Sequence, residues 1–184
     1  MPVYALGEVQ PNIHPDAFVH PRAVIIGKVV VGAESSIWPG AVLRGDGAGI
    51  TVGERTSIQD NVVLHNTMYD CTQVGNDVTV GHLAHLEGCI VEDEALIGVS
   101  SVVLPKAVVG KGALVAACAV VTNSMEVPSL ALALGIPAKI REGHMQEGSN
   151  LHNARGYVER GYMYRSEMRE LDPKELGIWQ PPTC

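Results

Sequence analysis

The sequence predicts a mostly β protein, a parallel β-helix of hexapeptide repeats followed by one α-helix. Aliphatic residues recur at every sixth position over most of the chain, with small or turn-forming residues between them. This spacing is typical of solenoids in which each hexad forms one short strand and one corner. Aromatic residues make up only 4% of the sequence, which suits a narrow interior filled by stacked branched side chains. Near the C-terminus the apolar spacing changes to three and four, which is helical.

The six-residue rhythm continues to the end of the predicted β-helix. Three hexads close one triangular coil, so residues 18 apart stack about one strand spacing, roughly 4.8 Å, above each other. We therefore expect about six coils in a domain of residues 1–140, with residues 1–11 covering the open end, because a free sheet edge needs protection. The repeated inward positions are Ile13, Val19, Ile25, Val31, Ile37, Leu43, Val52, Ile58, Leu64, Val74, Val80, Leu86, Val91, Ile97, Val103, Val109, Val115 and Val121.

Residues 141–184 are expected to form a helix and a tail packed on the β-helix. The helical spacing starts at Leu151, and the helix should run antiparallel along the coils. Ser149 or Asn150 can cap its start. Asp172–Pro173 is expected to stop the helix or to begin another turn.

Composition and charge narrow the function classes. The formal net charge is −7, and no basic stripe indicates a nucleic-acid partner. The longest apolar runs fall short of the roughly 20 residues of a membrane helix. No signal segment opens the chain, so we expect a cytoplasmic protein with no membrane association. The four cysteines, Cys71, Cys89, Cys118 and Cys184, form no C-x-x-C pair and are expected to be reduced thiols.

A stretch near the middle of the chain holds three of the seven histidines. Its step from Leu64 to Val74 is ten residues instead of six, so four residues should bulge out as a loop. Without those four, Leu64 and Leu86 lie one full coil apart on the same face. His65 and Glu87 directly follow these two residues, so they should stack and point outward together.

His82 belongs to the preceding hexad, on a different face, and cannot easily reach His65 and Glu87 within one chain. A neighbouring copy of the chain could deliver it there, which would put the site between subunits. Two histidines and a carboxylate match catalytic zinc sites with an open water position. They would also suit Fe²⁺ or another divalent metal. The other interpretation is that these are outward polar residues at a trimer interface, without a metal.

Two further pairs of polar residues lie near these candidates. Arg44 and Asp46 lie where the step between two inward positions is nine residues instead of six, and their side chains should face the same side. They can form an ion pair at a subunit contact, orient an anion, or do both. Gln59 and Asp60 lie one hexad before His65, where they suit a role around a metal. Alternatively, they hydrogen-bond the backbone at a corner.

The sequence contains five short motifs: Arg44–Asp46, Ser57–His65, Val78–His82, Gly88–Cys89 and Gly135–Lys139. Together they resemble the γ-class carbonic anhydrase family over roughly residues 10–165. The resemblance implies a left-handed β-helix, a homotrimer and metal sites between subunits, each with two ligands from one chain and one from the next. The hexapeptide rhythm and the last motif are less specific, because sugar and amino-acid acyltransferases share them.

Matching positions in that family imply a role for each candidate residue. The third ligand of the family is a histidine, whereas this chain has Glu87 there, and His85 is the alternative ligand. Glutamates that shuttle protons in some members are missing from the neighbouring loops, where only Asp70 could take that role. The implied ligands are His65 and His82, the interface and site residues are Arg44 and Asp46, the polar residues around the metal are Gln59 and Asp60, and the helix tyrosine over the site is Tyr157.

The resemblance implies reversible hydration of CO₂ to bicarbonate by a metal-bound hydroxide that Gln59 orients. A metal lowers the pKa of its bound water to about 7. The charge of Glu87 should raise that pKa, so we expect weak or absent hydration compared with a three-histidine site. The alternatives are a hexapeptide-type acyltransferase or thioesterase-like enzyme acting on a small molecule, and a non-catalytic trimeric metal-binding scaffold. Acyl-CoA transfer needs a histidine over a groove beside a long loop, and the loop at residues 66–73 contains none.

Overall fold

Short strands wind through the chain and stack on one another in parallel. The computed structural model describes residues 2–172 and residue 175, and these residues contain 20 strands and one α-helix. The strands are β1 (Val3–Tyr4), β2 (Asn12–Ile13), β3 (Phe18–Val19), β4 (Val24–Val31), β5 (Ser36–Ile37), β6 (Val42–Val52), β7 (Ser57–Ile58), β8 (Val63–His65), β9 (Thr72–Val74), β10 (Thr79–Val80), β11 (His85–Glu87), β12 (Ile90–Val91), β13 (Leu96–Ile97), β14 (Val102–Val103), β15 (Val108–Val109), β16 (Leu114–Val115), β17 (Val120–Val121), β18 (Glu126–Val127), β19 (Leu132–Leu134) and β20 (Lys139–Arg141), and the helix is α1 (Leu151–Glu167).

The strands form three faces with seven rungs each, so the solenoid has about seven coils instead of the predicted six. The first face stacks β1, the first halves of β4 and β6, then β8, β11, β14 and β17. The second face stacks β2, the second halves of β4 and β6, then β9, β12, β15 and β18. The third face stacks β3, β5, β7, β10, β13, β16 and β19, with β20 antiparallel beside β19. The extra coil arises because β1 pairs with β4, Val3 opposite Ile25, so the N-terminal segment adds a rung to the face.

The core is a column of aliphatic side chains inside the coils. These are the positions that the six-residue rhythm predicts. Ile13 and Val19, in the first coil, are only partly buried. Because burying one such side chain stabilises a fold by about 1.5–3 kcal/mol, this column supplies most of the driving force for folding. On the first face it consists of Ile25, Leu43, Leu64, Leu86, Val103 and Val121, all fully buried.

Two insertions lie at the corner between the first and second faces, where the sequence predicts interruptions. Residues 46–49 extend β6 opposite a register shift in β4. Residues 66–70 form a loop between β8 and β9. Thr67 holds this loop together, since its Oγ1 accepts the N–H of Asp70 (2.8 Å) and donates to Asp70 Oδ2 (3.0 Å). Both insertions adjoin His65, at the end of β8.

Helix α1 lies along the third face and runs back from the later coils to the earlier ones, as predicted. It starts beside Gly112 and packs Tyr164 against Trp38 near its end. Asn150 occupies the N-cap position, but its side chain makes no capping hydrogen bond. Its Nδ2 instead donates to the carbonyl oxygens of Glu94 (3.1 Å) and Gly112 (3.2 Å). The expected side-chain cap is therefore absent at Asn150, which fastens the start of the helix to the coils.

Three of the cysteines, Cys71, Cys89 and Cys118, are free thiols, as predicted. Burial raises the pKa of the Cys89 thiol to about 12, so this thiol is unreactive at neutral pH. Cys184 and Pro173 lie outside the described residues. The prediction that Asp172–Pro173 stops the helix is wrong, because α1 already ends at Glu167 and Met168 is extended. Within the described part of the chain, no helix combines the length and the apolar character needed to cross a membrane.

Candidate metal site

The centre of the candidate site is a row of three polar residues on consecutive rungs of the first face. Arg44 pairs in register with His65, and His65 pairs with Glu87. Their side chains point outward because the preceding residue in each strand points into the core. The stacking of His65 on Glu87 across the insertion of residues 66–70 is therefore confirmed.

Both ring nitrogens of His65 contact carboxylates. Nδ1 lies 3.0 Å from Glu87 Oε1, and Nε2 lies 3.0 Å from Asp46 Oδ1. The other oxygen of Glu87 lies 3.5 Å from His85 Nε2, and Arg44 forms an ion pair with Asp46. These five residues form one polar cluster on the first face, with His65 at its centre.

The electrostatics of the cluster favour ionised Asp46. Burial acts to raise the pKa of this carboxyl, but hydrogen bonds with His65 and Arg44 outweigh it and leave the pKa below its usual value. The negative charges of Asp46 and Glu87 thus lie on either side of one imidazole. A cation at this place would be attracted by both carboxylates.

The backbone of His65 is fixed by Thr72, whose hydroxyl donates to the His65 carbonyl oxygen. The N–H of Gly88 donates to Thr72 Oγ1 (2.7 Å) and to the same His65 carbonyl (3.3 Å). Thr72 is fully buried. It thus ties the strand of His65 to the strand of Glu87 at the point where both leave the first face. The sequence analysis did not identify Thr72, although its place two residues before the inward Val74, on the same side of β9, was a signal.

His82 lies at the corner between the third and first faces, away from this cluster. Its Nδ1 is 2.9 Å from Asp60 Oδ2, and its backbone N–H donates to Gln59 Oε1 (3.2 Å). Gln59 is only 4% exposed. In the described residues, no three His, Cys, Asp or Glu side chains of one chain are arranged to hold a metal ion. One chain therefore brings together His65 and Glu87 and leaves His82 apart.

Tyr157, on α1, packs within an aromatic cluster and does not approach His65 of its own chain. Its ring lies 5.7 Å from that of Trp38 at an angle of 70°, and the Arg160 guanidinium lies 5.0 Å from its centroid. Trp38 Nε1 donates to Ser57 Oγ at 3.0 Å, which fixes the indole on the third face. The role of Tyr157 over a metal site stays a prediction.

The contact between Asp60 and His82 is a feature that the sequence analysis missed. The two residues are 22 positions apart, the same separation as His65 and Glu87. Both pairs span the insertion of residues 66–70, so the same count that stacked His65 on Glu87 also stacks Asp60 under His82. The 22-residue spacing alone was thus enough to predict the contact between Asp60 and His82.

Known proteins with similar sequences were found over most of the chain. The family described as bacterial transferase hexapeptide (six repeats) matches residues 10–45. Gamma carbonic anhydrase 2, mitochondrial, from Arabidopsis thaliana is 44% identical over 135 residues, which are 70% of this chain and 49% of that protein. The chain thus spans about half the length of this plant relative. The carnitine operon protein CaiE of Escherichia coli (strain K12) is 40% identical over 76% of this chain and 71% of its own length.

Two further comparisons cover nearly the whole chain. A carbonic anhydrase of Geobacillus kaustophilus is 37% identical over 95% of this chain and 99% of its own length. A crystal structure of a putative acetyltransferase from Bacillus cereus superposes with a TM-score of 0.84 at 35% identity, over 89% of this chain and 96% of that one. Together with the hexapeptide rhythm and the stacked site residues, these matches show that the chain belongs to the γ-carbonic-anhydrase-like family of hexapeptide-repeat proteins.

Proposed function

We propose that this protein catalyses the reversible hydration of CO₂ to bicarbonate at metal sites shared between the subunits of a homotrimer. The observation that carries the proposal is the stacked pair His65 and Glu87, 3.0 Å apart on neighbouring rungs, with Arg44 and Asp46 beside it. The relatives named as carbonic anhydrases support the same activity. We keep the prediction of a cytoplasmic location.

The donor set fits a divalent metal. His65 and Glu87 of one subunit and His82 of a neighbour would offer two imidazole nitrogens and a carboxylate, a set that zinc accepts with one open position. Fe²⁺ is the alternative metal. His85 is the alternative third ligand, because its Nε2 lies 3.5 Å from Glu87 Oε2. A bound metal would supply a coordinated water with a pKa near 7.

The residues around these ligands would bind and orient the substrate. Gln59 uses its side-chain oxygen for the N–H of His82, so its amide N–H groups are the donors available to water or bicarbonate. Arg44 and Asp46 would hold the subunit contact at the edge of the site. We expect hydration to be weak at pH 7, because the charged Glu87 replaces a neutral imidazole and disfavours loss of a proton from coordinated water.

Acyl transfer or thioester hydrolysis is the second candidate, and the name of the Bacillus cereus neighbour favours it. The sequence speaks against acyl transfer, because the loop of residues 66–70, which would border an acyl-CoA groove, lacks the histidine that this reaction needs. Its tip carries Met68 and Tyr69, which are 73% and 93% exposed. A non-catalytic trimeric metal-binding scaffold is the third candidate.

Metal analysis combined with three activity assays separates these candidates. The protein, purified without added metal, should contain or take up about one divalent ion per chain and should hydrate CO₂ in stopped-flow measurements. His65→Ala should abolish both, whereas His14→Ala, a change at a surface histidine outside the cluster, should leave both unchanged. Acetyl-CoA hydrolysis or transfer without CO₂ hydration would favour the second candidate. Bound metal without any of these activities would favour the scaffold.

A further inference from the structure

The corner that carries His82 is joined to the corner one coil below it by the backbone hydrogen bonds that recur at other corners and by one additional side-chain hydrogen bond. The N–H of Gln59 donates to the Val80 carbonyl (3.0 Å), and the N–H of Leu83 donates to the Asp60 carbonyl (3.0 Å). The Gln59 side chain accepts the N–H of His82 (3.2 Å). Three hydrogen bonds therefore fix the backbone on both sides of His82 before its ring is considered.

The coil above completes this support. The N–H of Ser100 donates to the His82 carbonyl at 2.9 Å. Asn61 and Leu83, which follow Asp60 and His82, both adopt left-handed backbone conformations, with φ of 57° and 63°. The two corners thus have the same shape and stack in register. The backbone of His82 therefore cannot shift without breaking contacts to both neighbouring coils.

The ring of His82 is oriented by Asp60. Asp60 Oδ2 lies 2.9 Å from His82 Nδ1. A carboxylate offers only acceptor oxygens, so this close ion-pair contact favours a proton on Nδ1. In the neutral imidazole, Nε2 then carries the free lone pair, which is the form that binds metals. Among the described residues, none makes a hydrogen bond to Nε2 of His82.

His65 provides the contrast, because Asp46 and Glu87 contact both of its ring nitrogens. A metal can bind His65 only by replacing one of these contacts. His82 alone of the two presents an uncommitted nitrogen from a fixed backbone.

We propose that Asp60 is a positioning residue that holds His82 in the Nδ1–H tautomer, with Nε2 aimed out of the subunit as a ready metal ligand. The metal-binding part of this inference rests on the proposed function, whereas the tautomer does not. Carboxylates that orient a ligating histidine typically change metal affinity 10–100-fold when they are removed, so a loss of about this size is expected for Asp60→Ala. Asp60→Asn keeps an oxygen that can accept the Nδ1–H, so it should retain much of the affinity.

The first experiment reads the tautomer directly in metal-free protein. Long-range ¹H–¹⁵N spectra of ¹⁵N-histidine-labelled protein, at a pH where the imidazoles are neutral, should show His82 protonated on Nδ1. Asp60→Ala should move the proton to Nε2, which neutral imidazole favours in water, and Asp60→Asn should leave it on Nδ1. Asp16→Ala is the matched control, because Asp16 is another surface carboxylate near a histidine, 3.7 Å from His14 Nδ1. It should leave the His82 signals unchanged.

The second experiment measures Zn²⁺ affinity by competition with a chromophoric chelator. Affinity should fall in the order wild type, Asp60→Asn, Asp60→Ala, while Asp16→Ala matches the wild type. A wild-type His82 protonated on Nε2, or an Asp60→Ala protein with unchanged tautomer and unchanged zinc affinity, would overturn the inference. Wild-type protein that binds no zinc would contradict the proposed function, and the tautomer spectra would still decide the role of Asp60. If Asp60→Ala fails to fold, the wild-type spectrum and Asp60→Asn decide it.

Discussion

At the scale of single residues, Glu87 is the position where this chain departs from the ligand set that the family resemblance implies. Its carboxylate lies between two imidazoles, 3.0 Å from His65 Nδ1 and 3.5 Å from His85 Nε2. This position of Glu87 is compatible with two arrangements of the proposed metal ligands. Either Glu87 is itself a ligand, or it orients His65 while His85 turns to the metal.

Alanine substitutions distinguish these arrangements. If Glu87 is a ligand, Glu87→Ala should lose the bound metal and His85→Ala should keep it, as measured by elemental analysis of dialysed protein. The opposite order would mean that His85 is the third ligand. Unchanged metal content in both variants would contradict both arrangements.

Glu87→His tests the effect of charge. The substitution removes one negative charge and restores the ligand set of the family, so the pKa of coordinated water should fall and CO₂ hydration at pH 7 should rise, by about tenfold for each pKa unit while that water is mostly protonated. Stopped-flow measurements from pH 6 to 9 would detect the shift. A fully metal-loaded Glu87→His protein with no gain in hydration would show that the loops, or another substrate, set the function.

At the scale of strands and loops, the six-residue rhythm predicted the inward positions because burial inside a narrow coil leaves little choice of residue type. It also predicted both insertions beside His65, since each one breaks the count. It did not predict the rung formed by β1, because residues 3 and 4 pair without continuing the rhythm. The Asn150 side chain was also missed, because outward contacts depend on how α1 meets the coils.

Ile97, on β13, tests the inward register. It is fully buried, between Val80 and Val115 on adjacent rungs. Ile97→Asp should prevent folding, because an unpaired buried carboxylate costs several kcal/mol. Ile90→Asp is the matched control, since Ile90 is 40% exposed on the second face. Circular dichroism melting curves that are alike for Ile97→Asp and the parent would show that the register is wrong.

Asn150 tests how α1 is attached. Asn150→Ala leaves the carbonyls of Glu94 and Gly112 without their side-chain donor, which should lower the free energy of unfolding by about 1–3 kcal/mol. Hydrogen exchange at the start of α1 should accelerate. Ser149→Ala should have little effect. Equal exchange rates in the two variants would show that the aromatic packing near Trp38 alone holds the helix.

At the scale of the whole molecule, the proposed metal site requires that several chains assemble. One chain brings together His65 and Glu87, and its His82 lies at a different corner, 2.9 Å from Asp60. The sequence predicted this separation from the count of hexads, because residues on different faces of a coil cannot converge. The convergence of His82 with His65 of a neighbouring subunit stays a proposal, since it depends on how the faces of separate copies meet.

Complementation between two inactive variants tests the shared site most directly. His65→Ala and His82→Ala chains, each purified alone, should bind no zinc at the site. Coexpressed with different tags and isolated as mixed trimers, they should recover zinc, because a His65 from one chain then meets a His82 from another. Each mixed trimer has one such pairing among its three interfaces, so about a third of the wild-type zinc per chain should be recovered in a symmetric trimer. Mixed trimers with no more zinc than the single variants, or full zinc in His82→Ala alone, would contradict a metal site shared between subunits.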